Sequence, residues 1–469
     1  MVRMTCLAST ALTAMASFLG AAFITARAAA SDGVVATPTT DASRQPVVFT
    51  TEQDHQDMLR QLGMARPRPG PGGAPRPPRP PTYEGARASP YPTLPAVLKL
   101  ESGEQVATAD QWRNLRRPEI VEALAREVYG RVPDNVPAVV WQVRETREID
   151  AFGTTAIQKR IVGVVDNAAC PEIVVEISMS LTLPRDATGP VPVLMSFGWT
   201  PFESSPFGPR GPGGRDEESG PRRPSREERL IAAGWGSAIL NPTTVQDDVG
   251  GLQRNRWGRT VSPDAEPTGA GLTRGIIGLA NLGRPRKPDD WGALRAWAWG
   301  ASRGLDYLES ESDVDSHRVG IAGVSRYGKA ALVAMAFDER FAAGLIASSG
   351  AGGTKLLRRD FGETLENLAG SGEYHWMAGN FLKYAAEEAT FGRRTADDLP
   401  VDAHMTLALC APRPTFISHG VPERGDAQWL DHRGSFMAAV AAPPGFPLLG
   451  GRALGRSDGR PSATMSGGN

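Results

Sequence analysis

The sequence predicts an α/β fold with a mostly parallel, doubly wound sheet, and three observations lead to that prediction. From about residue 191 to residue 418, short apolar runs typical of buried strands alternate with segments of helical spacing. Before residue 191 the candidate strands either alternate apolar with polar residues or are apolar throughout. This is typical of antiparallel strands that form the first part of a sheet. One buried strand, Val319–Ala322, passes into a helix at Arg326 through a very short turn. In such sheets the functional site lies at the carboxyl ends of the strands.

The helices are predicted from apolar residues that recur every three or four positions. Segments with this spacing are 112–129, 229–233, 289–308, 326–337 and 432–442. In the third of them, Trp291, Leu294 and Trp297 share one side of the helix. Packing of that side against the sheet explains these large side chains better than ligand binding does.

The strands are predicted from short runs rich in β-branched and other apolar residues. They are 138–143, 155–165, 173–183, 191–197, 236–240, 319–322, 344–347 and 415–418. A proline-, glycine- and arginine-rich insertion at 206–226 is predicted to be a surface loop. The apolar residues of 443–451 hint at one further strand.

The composition is that of a globular protein with unusual segments at its ends. Its 469 residues are 41% hydrophobic and 22% charged, which suffices for one large α/β domain or two smaller ones. The net charge of −1 gives no reason to expect nucleic acid or an anionic membrane as a partner. The 53 glycines and 39 prolines cluster, which indicates linkers rather than a fibrous protein.

Residues 1–30 are predicted to be a secretory signal peptide, and residues 31–95 a disordered linker rich in proline, glycine and arginine. An apolar run follows Arg3, and small residues after it supply an A-x-A cleavage site. A membrane anchor is the alternative, but the run barely reaches the roughly 18 residues that a span needs. The protein is therefore expected to be secreted or periplasmic. The folded domain is predicted for residues 96–445 and a low-complexity tail for 446–469.

The strongest functional signal is the turn between the strand 319–322 and the helix 326–337. A serine on such a turn, Ser325, has its hydroxyl lifted away from the sheet and set beside the N–H groups that begin the helix. The usual pattern is G-x-S-x-G, whereas the second glycine here, Gly328, comes one residue late. A nucleophilic serine is predicted, with an ordinary strand-to-helix turn as the alternative.

This segment, VGIAGVSRYGKAAL, and three others resemble bacterial glucuronoyl esterases of carbohydrate esterase family 15. The others are KPDDWGALRAWAWGASRGLDYL, SGEYHWMAGNFLKYA and ALCAPRPTFISHGVPERGDAQW. The resemblance is collinear from about residue 96 to about residue 445. It implies an α/β-hydrolase fold, a three-layer sandwich, and hydrolysis of the ester that joins a 4-O-methyl-glucuronoyl group of xylan to a lignin alcohol. No cofactor is expected, and no H-E-x-x-H motif or cysteine/histidine cluster predicts a metal.

The resemblance also implies roles for individual residues. Ser325 matches the nucleophile, and Arg326 matches an arginine that stabilises the oxyanion, with an exposed arginine at a helix start as the alternative. Lys329, one helical turn on, matches a lysine that contacts sugar hydroxyls. Glu373 and Trp429 match a glutamate and a tryptophan that contact the sugar, although core packing would also explain a tryptophan.

The acid of the triad has two candidates. Some family members carry a glutamate after the neighbouring strand, but this chain reads Ala347-Ser348-Ser349-Gly350 there and has no carboxylate. The loop after the next strand offers Glu423 as first choice and Asp426 as second. Both would otherwise be exposed loop charges.

The resemblance places the basic histidine after the final strand, and no histidine stands in that part of this chain. The histidines present are His55, His317, His375, His404, His419 and His432. Most of them are expected to be structural. The exception is the hypothesis that His419 or His432 acts as the base in place of the absent histidine. A truncated or frame-shifted gene end is expected instead, and with it impaired activity, because loss of a triad member removes several orders of magnitude in rate.

Two other functions remain open at this stage. One is an acetyl-type carbohydrate esterase on the same fold, and the other is a carbohydrate-binding relative without catalysis. Arg326 and Lys329 beside the serine favour an acidic sugar. Cys170 and Cys410 form either one disulfide or two buried free thiols.

Overall fold

The structure, a computed structural model, describes residues 45–71, 80–91, 93–203, 223–248, 272–442 and 445–451. The predicted signal peptide, most of the loop 206–226 and the tail from residue 452 lie outside the described residues, so the predicted export stays a prediction. In the described part of the chain, no helix is long and apolar enough to cross a membrane.

Within these ranges the α-helices are α1 (Thr51–Gln61), α2 (Ala109–Gln111), α3 (Arg117–Leu124), α4 (Arg226–Ala232), α5 (Gly275–Ala280), α6 (Ala293–Ser310), α7 (Arg326–Phe337), α8 (Leu365–Ala369), α9 (Ala403–Ala408), α10 (His432–Ala441) and α11 (Gly445–Leu448). The strands are β1 (Met64–Pro67), β2 (Val139–Ala151), β3 (Thr154–Val165), β4 (Glu176–Pro184), β5 (Val191–Phe197), β6 (Gly236–Leu240), β7 (Val314–Val324), β8 (Ala343–Ala347), β9 (Ala386–Ala389) and β10 (Thr415–Ser418). A π-helical turn, Trp112–Arg116, joins α2 to α3, and a second one, Ala125–Tyr129, extends α3, so the helical run predicted for 112–129 is continuous.

The central sheet of the described residues has the strand order β10-β8-β7-β5-β6-β4-β3-β2. The five strands from β10 to β6 are parallel, and β4, β3 and β2 are antiparallel. A tight turn joins β2 to β3, whereas parallel strands require a longer crossover, and helices supply it between β5 and β10. The predicted doubly wound α/β sheet with an antiparallel front is confirmed.

Two helices next to the sheet supply much of the core around the site. In α6 the side chains of Leu294, Trp297 and Leu305 are fully buried, so packing does explain the tryptophan. The indole N–H of Trp297 donates to the carbonyl of Gln246 at 2.7 Å, which satisfies its polar atom. Helix α7 is buried from Gly328 to Ala336, as expected of a helix that is apolar on nearly all sides.

The linker predicted for 31–95 is wrong for residues 45–71, which fold onto the domain. Helix α1 begins with a capping box at Thr50, and β1 pairs antiparallel with β9. Met58 and Met64 lie in the main core, at 1% and 5% exposure. Arg68, counted above with the linker arginines, donates to the carbonyls of Tyr384, Ala386 and Arg394. The domain therefore begins before residue 96.

The predicted C-terminal boundary also changes. Residues 443–451 were expected to hint at a strand, but α11 stands there, and Gly445 packs over the Trp112 ring. A four-residue stretch containing Pro447 lacks the backbone donor that a strand ladder needs.

Both Cys170 and Cys410 are buried free thiols, so the disulfide alternative is excluded.

The buried Asp54, in the N-terminal segment 45–71, is expected to make the free energy of unfolding depend on pH. Its carboxylate is 2% exposed and 4.0 Å from the guanidinium of the buried Arg286. Burial raises the pKa of Asp54 to about 7, against the opposing charge of Arg286. Between pH 4 and pH 7 the folded state holds a proton that the unfolded state has lost. The free energy of unfolding should therefore fall as pH rises through this window, by at most about 4 kcal/mol, because one pKa unit corresponds to about 1.4 kcal/mol.

The Asp54→Asn variant should flatten that dependence, which urea unfolding at pH 4.5 and pH 8 would measure. Asp110→Asn, at a carboxylate whose side chain is 88% exposed, is the matched control and should keep the wild-type slope. Equal slopes in wild type and Asp54→Asn would show that Asp54 does not titrate in this range.

Candidate active site

Ser325 stands alone between β7 and α7, at φ 59° and ψ −130°. A positive φ is strained for a residue with a Cβ, and strain of this kind is typical of a nucleophile elbow. A Cβ on Gly323 would overlap the carbonyl oxygen of Tyr327, and one on Gly328 would lie 2.7 Å from the carbonyl oxygen of Ala347. The late glycine is thus the one that lets α7 pack against the end of β8. The predicted elbow geometry is present, and Ser325 is exposed.

The strand register places three further positions level with this serine. Val324, Ala347 and Ser418 are partners across β7, β8 and β10, so Ser325, Ser348 and His419 each follow one of three adjacent strands. The Ser325 amide donates to the carbonyl of Ala347 at 3.0 Å, which ties the elbow to β8. Adjacent strands lie about 4.8 Å apart, so His419 follows its strand about 10 Å from Ser325.

Arg326, the first residue of α7, is held in place beside the serine. Its Nη1 donates to Asp248 Oδ2 at 2.7 Å, and its guanidinium lies 5.0 Å from the centre of the Trp376 ring. The side chain keeps 39% of its surface exposed. It is therefore positioned rather than loosely solvated, with one edge open toward the cleft.

Asp248 receives three donors and so orients the arginine. Besides Arg326 it accepts from Trp376 Nε1 at 2.8 Å and from His375 Nε2 at 3.3 Å. Burial acts to raise the pKa of Asp248, but the His375 hydrogen bond and the Arg326 charge lower it below its usual value. Sequence reasoning missed Asp248 and Trp376. The available signal for Asp248 was its position just beyond β6, at the carboxyl edge of the sheet.

Lys329 is placed differently from the prediction. It is 3% exposed, and its Nζ donates to the carbonyls of Ser349 and Ala351 at 2.8 and 2.6 Å and to Glu363 Oε2 at 3.3 Å. An ammonium group has three donors, and all three are used. The predicted contact with sugar hydroxyls stays a prediction, and it requires Nζ to exchange one of these acceptors. Glu363, its acidic partner, was missed.

Glu373 and Trp429 have different neighbours in the structure. Glu373 is half-buried; burial acts to lower the pKa of Arg326, but Asp248 raises it above its usual value, and Glu373 adds to that effect. Trp429 is half-buried, and its carbonyl accepts from the Glu363 amide at 3.0 Å. A Cβ on Gly362 would overlap the Trp429 backbone, so that close approach requires glycine. Their sugar contacts stay predictions.

The structure gives the two acid candidates different surroundings, while the choice between them as the catalytic acid stays a prediction. Glu423, the first choice, lies exposed in the 3₁₀-helix Pro422–Arg424. Asp426 Oδ2 instead accepts from Ser348 Oγ at 2.9 Å and from the Gly420 amide at 2.8 Å. Asp426 is therefore the carboxylate fixed at the end of β8, next to the elbow strand. The left-handed Gly425, at φ 96°, turns the chain between the two candidates.

Two histidines accompany Asp426. His432 Nε2 lies 3.6 Å from Asp426 Oδ2, and the ring centres of His419 and His432 are 4.8 Å apart. Burial, and then the neighbouring His432, lower the pKa of His419 to about 4, so its ring is neutral at pH 7. His55 and His404 bond backbone carbonyls far from this cluster, as expected of structural histidines.

Comparison with known proteins adds four findings. A family described as fungal glucuronyl esterases matches residues 286–450. The structure resembles that of a carbohydrate esterase family 15 glucuronoyl esterase from Teredinibacter turnerae, with 39% identity and a TM-score of 0.73 over 87% of this chain and 90% of that one. A carbohydrate esterase from an unknown prokaryotic organism is 29% identical over 398 residues, 78% of this chain and 81% of its own length. A 4-O-methyl-glucuronoyl methylesterase of Podospora anserina is 34% identical over 148 residues, 30% of this chain and 28% of its own length.

Proposed function

Because this chain belongs to the glucuronoyl esterases of carbohydrate esterase family 15, we propose that it hydrolyses the ester between a 4-O-methyl-glucuronoyl group of xylan and an alcohol of lignin. The observation that carries the proposal is the strained, exposed Ser325 with the anchored Arg326 directly after it. Hydrolysis of a carboxylic ester needs this pair: a nucleophile, and a positive group where the oxyanion develops.

In the proposed reaction Ser325 Oγ attacks the ester carbonyl, and its proton passes to a base. The carbonyl oxygen becomes an oxyanion beside the Arg326 guanidinium. The Arg326 amide lies in the first turn of α7, where a helix offers no internal acceptor, and is the second donor. The base then protonates the departing alkoxide, and water hydrolyses the acyl-enzyme in the same way, which releases the uronic acid and restores Ser325.

We assign the base to His432 and its orienting acid to Asp426. The 3.6 Å between His432 Nε2 and Asp426 Oδ2 supports this pairing, since a carboxylate stabilises the imidazolium that forms. The impairment expected from the missing C-terminal histidine stays a prediction, and the rate of the wild-type chain decides it.

Replacing Arg326 by alanine should lower kcat by about 10²- to 10³-fold with a small change in KM, because the guanidinium acts mainly on the charge of the transition state. Steady-state hydrolysis of benzyl glucuronate measures this. Arg424→Ala, at an exposed arginine of the neighbouring loop, is the matched control and should behave as wild type. A rise in KM without a fall in kcat would show that Arg326 serves substrate binding instead.

The substrate class is tested by comparing alkyl and benzyl esters of glucuronic acid with acetylated xylan. We expect turnover of the glucuronate esters only. Turnover of acetylated xylan alone would favour the acetyl-type esterase. Binding of glucuronate without turnover, equal in wild type and Ser325→Ala, would favour the non-catalytic carbohydrate-binding alternative.

A further inference from the structure

A second arrangement of donors surrounds Asp426. His419 follows β10, Asp426 lies in the next loop, and His432 begins α10. One ring nitrogen from each histidine and one carboxylate oxygen all lie within 4.8 Å of one another. The three residues are separated by seven and six positions, so neither a helix nor a strand repeat would have revealed them. The expectation of no metal came from motif spacing alone.

The histidine nitrogens of this group lack partners. Nδ1 and Nε2 of His419 and Nε2 of His432 are shielded from solvent and have no hydrogen-bond partner among the described residues. A shielded polar atom without a partner destabilises the folded state by about 1–3 kcal/mol. One ring nitrogen of each histidine lies close to the Asp426 carboxylate, and unpartnered nitrogens there indicate a group that binds between them.

The position of the Asp426 carboxylate is fixed by its surroundings. Ser348 and the Gly420 amide hold Asp426 Oδ2, and a Cβ on Gly420 would lie 2.8 Å from the Asp426 Cβ. Asp426 Oδ1, bonded only to the amide of the next residue at 3.0 Å, keeps a lone pair. Hydrogen bonds to a ligating carboxylate are the usual support of a metal site.

His432 is fixed through the residue before it. The Asp431 carboxylate caps α10 by accepting from the Gly434 amide at 3.0 Å. It also accepts from Arg359 Nε at 2.6 Å, and both members of this ion pair are buried. The start of α10, and with it the His432 ring, is thereby tied to the core.

We propose that His419, Asp426 and His432 bind a divalent transition-metal ion of the zinc class. Two imidazoles and one carboxylate are the donor set that zinc and its neighbours accept, whereas magnesium and calcium prefer oxygen alone. A tetrahedral zinc ion holds its ligand atoms about 3.3 Å apart. The observed separations, 3.6 Å for one pair and at most 4.8 Å for all, need side-chain shifts of about 1 Å.

Binding of the ion inhibits the esterase. This consequence rests on the proposed function, in which His432 accepts the proton of Ser325 and Asp426 orients and stabilises the His432 ring. An ion that takes the imidazole lone pair leaves no base to receive that proton. The two uses are not independent, because Asp426 and His432 belong both to the metal site and to the proposed triad.

Titration calorimetry with Zn²⁺ on the full chain, free of any histidine tag and stripped with a chelator, tests the site. We expect one ion per chain, and at least about tenfold weaker binding in His419→Gln and Asp426→Asn. His317→Gln, at an exposed histidine on β7, is the matched control and should bind as wild type. No stoichiometric binding, or unchanged affinity in His419→Gln, would overturn the proposal.

Two further measurements distinguish a failure of the metal site from a failure of the proposed esterase function. Co²⁺ bound to the unmodified chain should show the intense visible bands of a low-coordinate site, which needs no variant to fold. Their absence at saturating Co²⁺ would contradict the site. Zn²⁺ should slow ester hydrolysis, with recovery on chelation. Zinc binding in a chain without esterase activity would refute the proposed function and leave the site standing, while hydrolysis without zinc binding would do the reverse.

Discussion

Ser325→Ala should lower kcat for benzyl glucuronate by about 10⁴- to 10⁶-fold, because the attacking oxygen is removed and only oxyanion binding and substrate positioning remain. The variant should fold normally. Ser325 is exposed, and alanine keeps the Cβ that already tolerates φ 59° at this turn. The melting temperature is therefore expected to match that of the wild-type chain.

Ser316→Ala is the matched control for this result. Ser316 lies on the same strand, β7, near its opposite end, and loses the same hydroxyl group. It should hydrolyse the ester at the wild-type rate. A Ser325→Ala variant that retains more than a few per cent of the rate with an unchanged melting temperature would exclude Ser325 as nucleophile.

Asp426→Asn should lower kcat by about 10⁴-fold, while Glu423→Gln should remain within about twofold of wild type. An asparagine keeps the shape but cannot stabilise an imidazolium, and it favours the wrong histidine tautomer. Glu423 is exposed and Asp426 is bonded to Ser348 at the end of β8, so the structure separates two residues that the sequence ranked in the other order. Paired kinetics of the two variants measure the difference.

His432→Gln extends this comparison to the base. If His432 and Asp426 act as one unit, His432→Gln should lose about as much rate as Asp426→Asn, and the double variant little more. A large loss in Glu423→Gln with an active Asp426→Asn would restore the original order of the acids. A fully active His432→Gln would show that the base is another group.

The fold could be predicted from the sequence because its signals are local. One continuous segment contains the strand before Ser325, the turn and the helix α7. The small residues that the turn requires belong to the same segment. Leu294, Trp297 and Leu305 recur at helical spacing, so their burial in α6 followed from period alone.

The N-terminal segment could not be predicted in this way. In α1 the apolar residues are few, and Met58 is buried only because the rest of the domain lies against it. Arg68 lies in a segment with the composition of a linker, yet the backbone carbonyls that its side chain bonds lie more than 300 residues further along the chain. Composition reports what a segment contains, whereas its burial depends on distant segments.

The same limit applies within the site. The sequence by itself determined the strained turn at Ser325 and the arginine after it, because neighbours in the chain set backbone geometry there. The nucleophilic role of Ser325 stays a prediction. Only the tertiary structure decided that Asp248, 78 residues before Arg326, holds that arginine. It also decided that Asp426 rather than Glu423 reaches Ser348, and that His419 and His432 share that carboxylate. Parallel strands bring their carboxyl ends to one edge of the sheet, so residues far apart in sequence come into contact there. No local sequence pattern predicts these contacts.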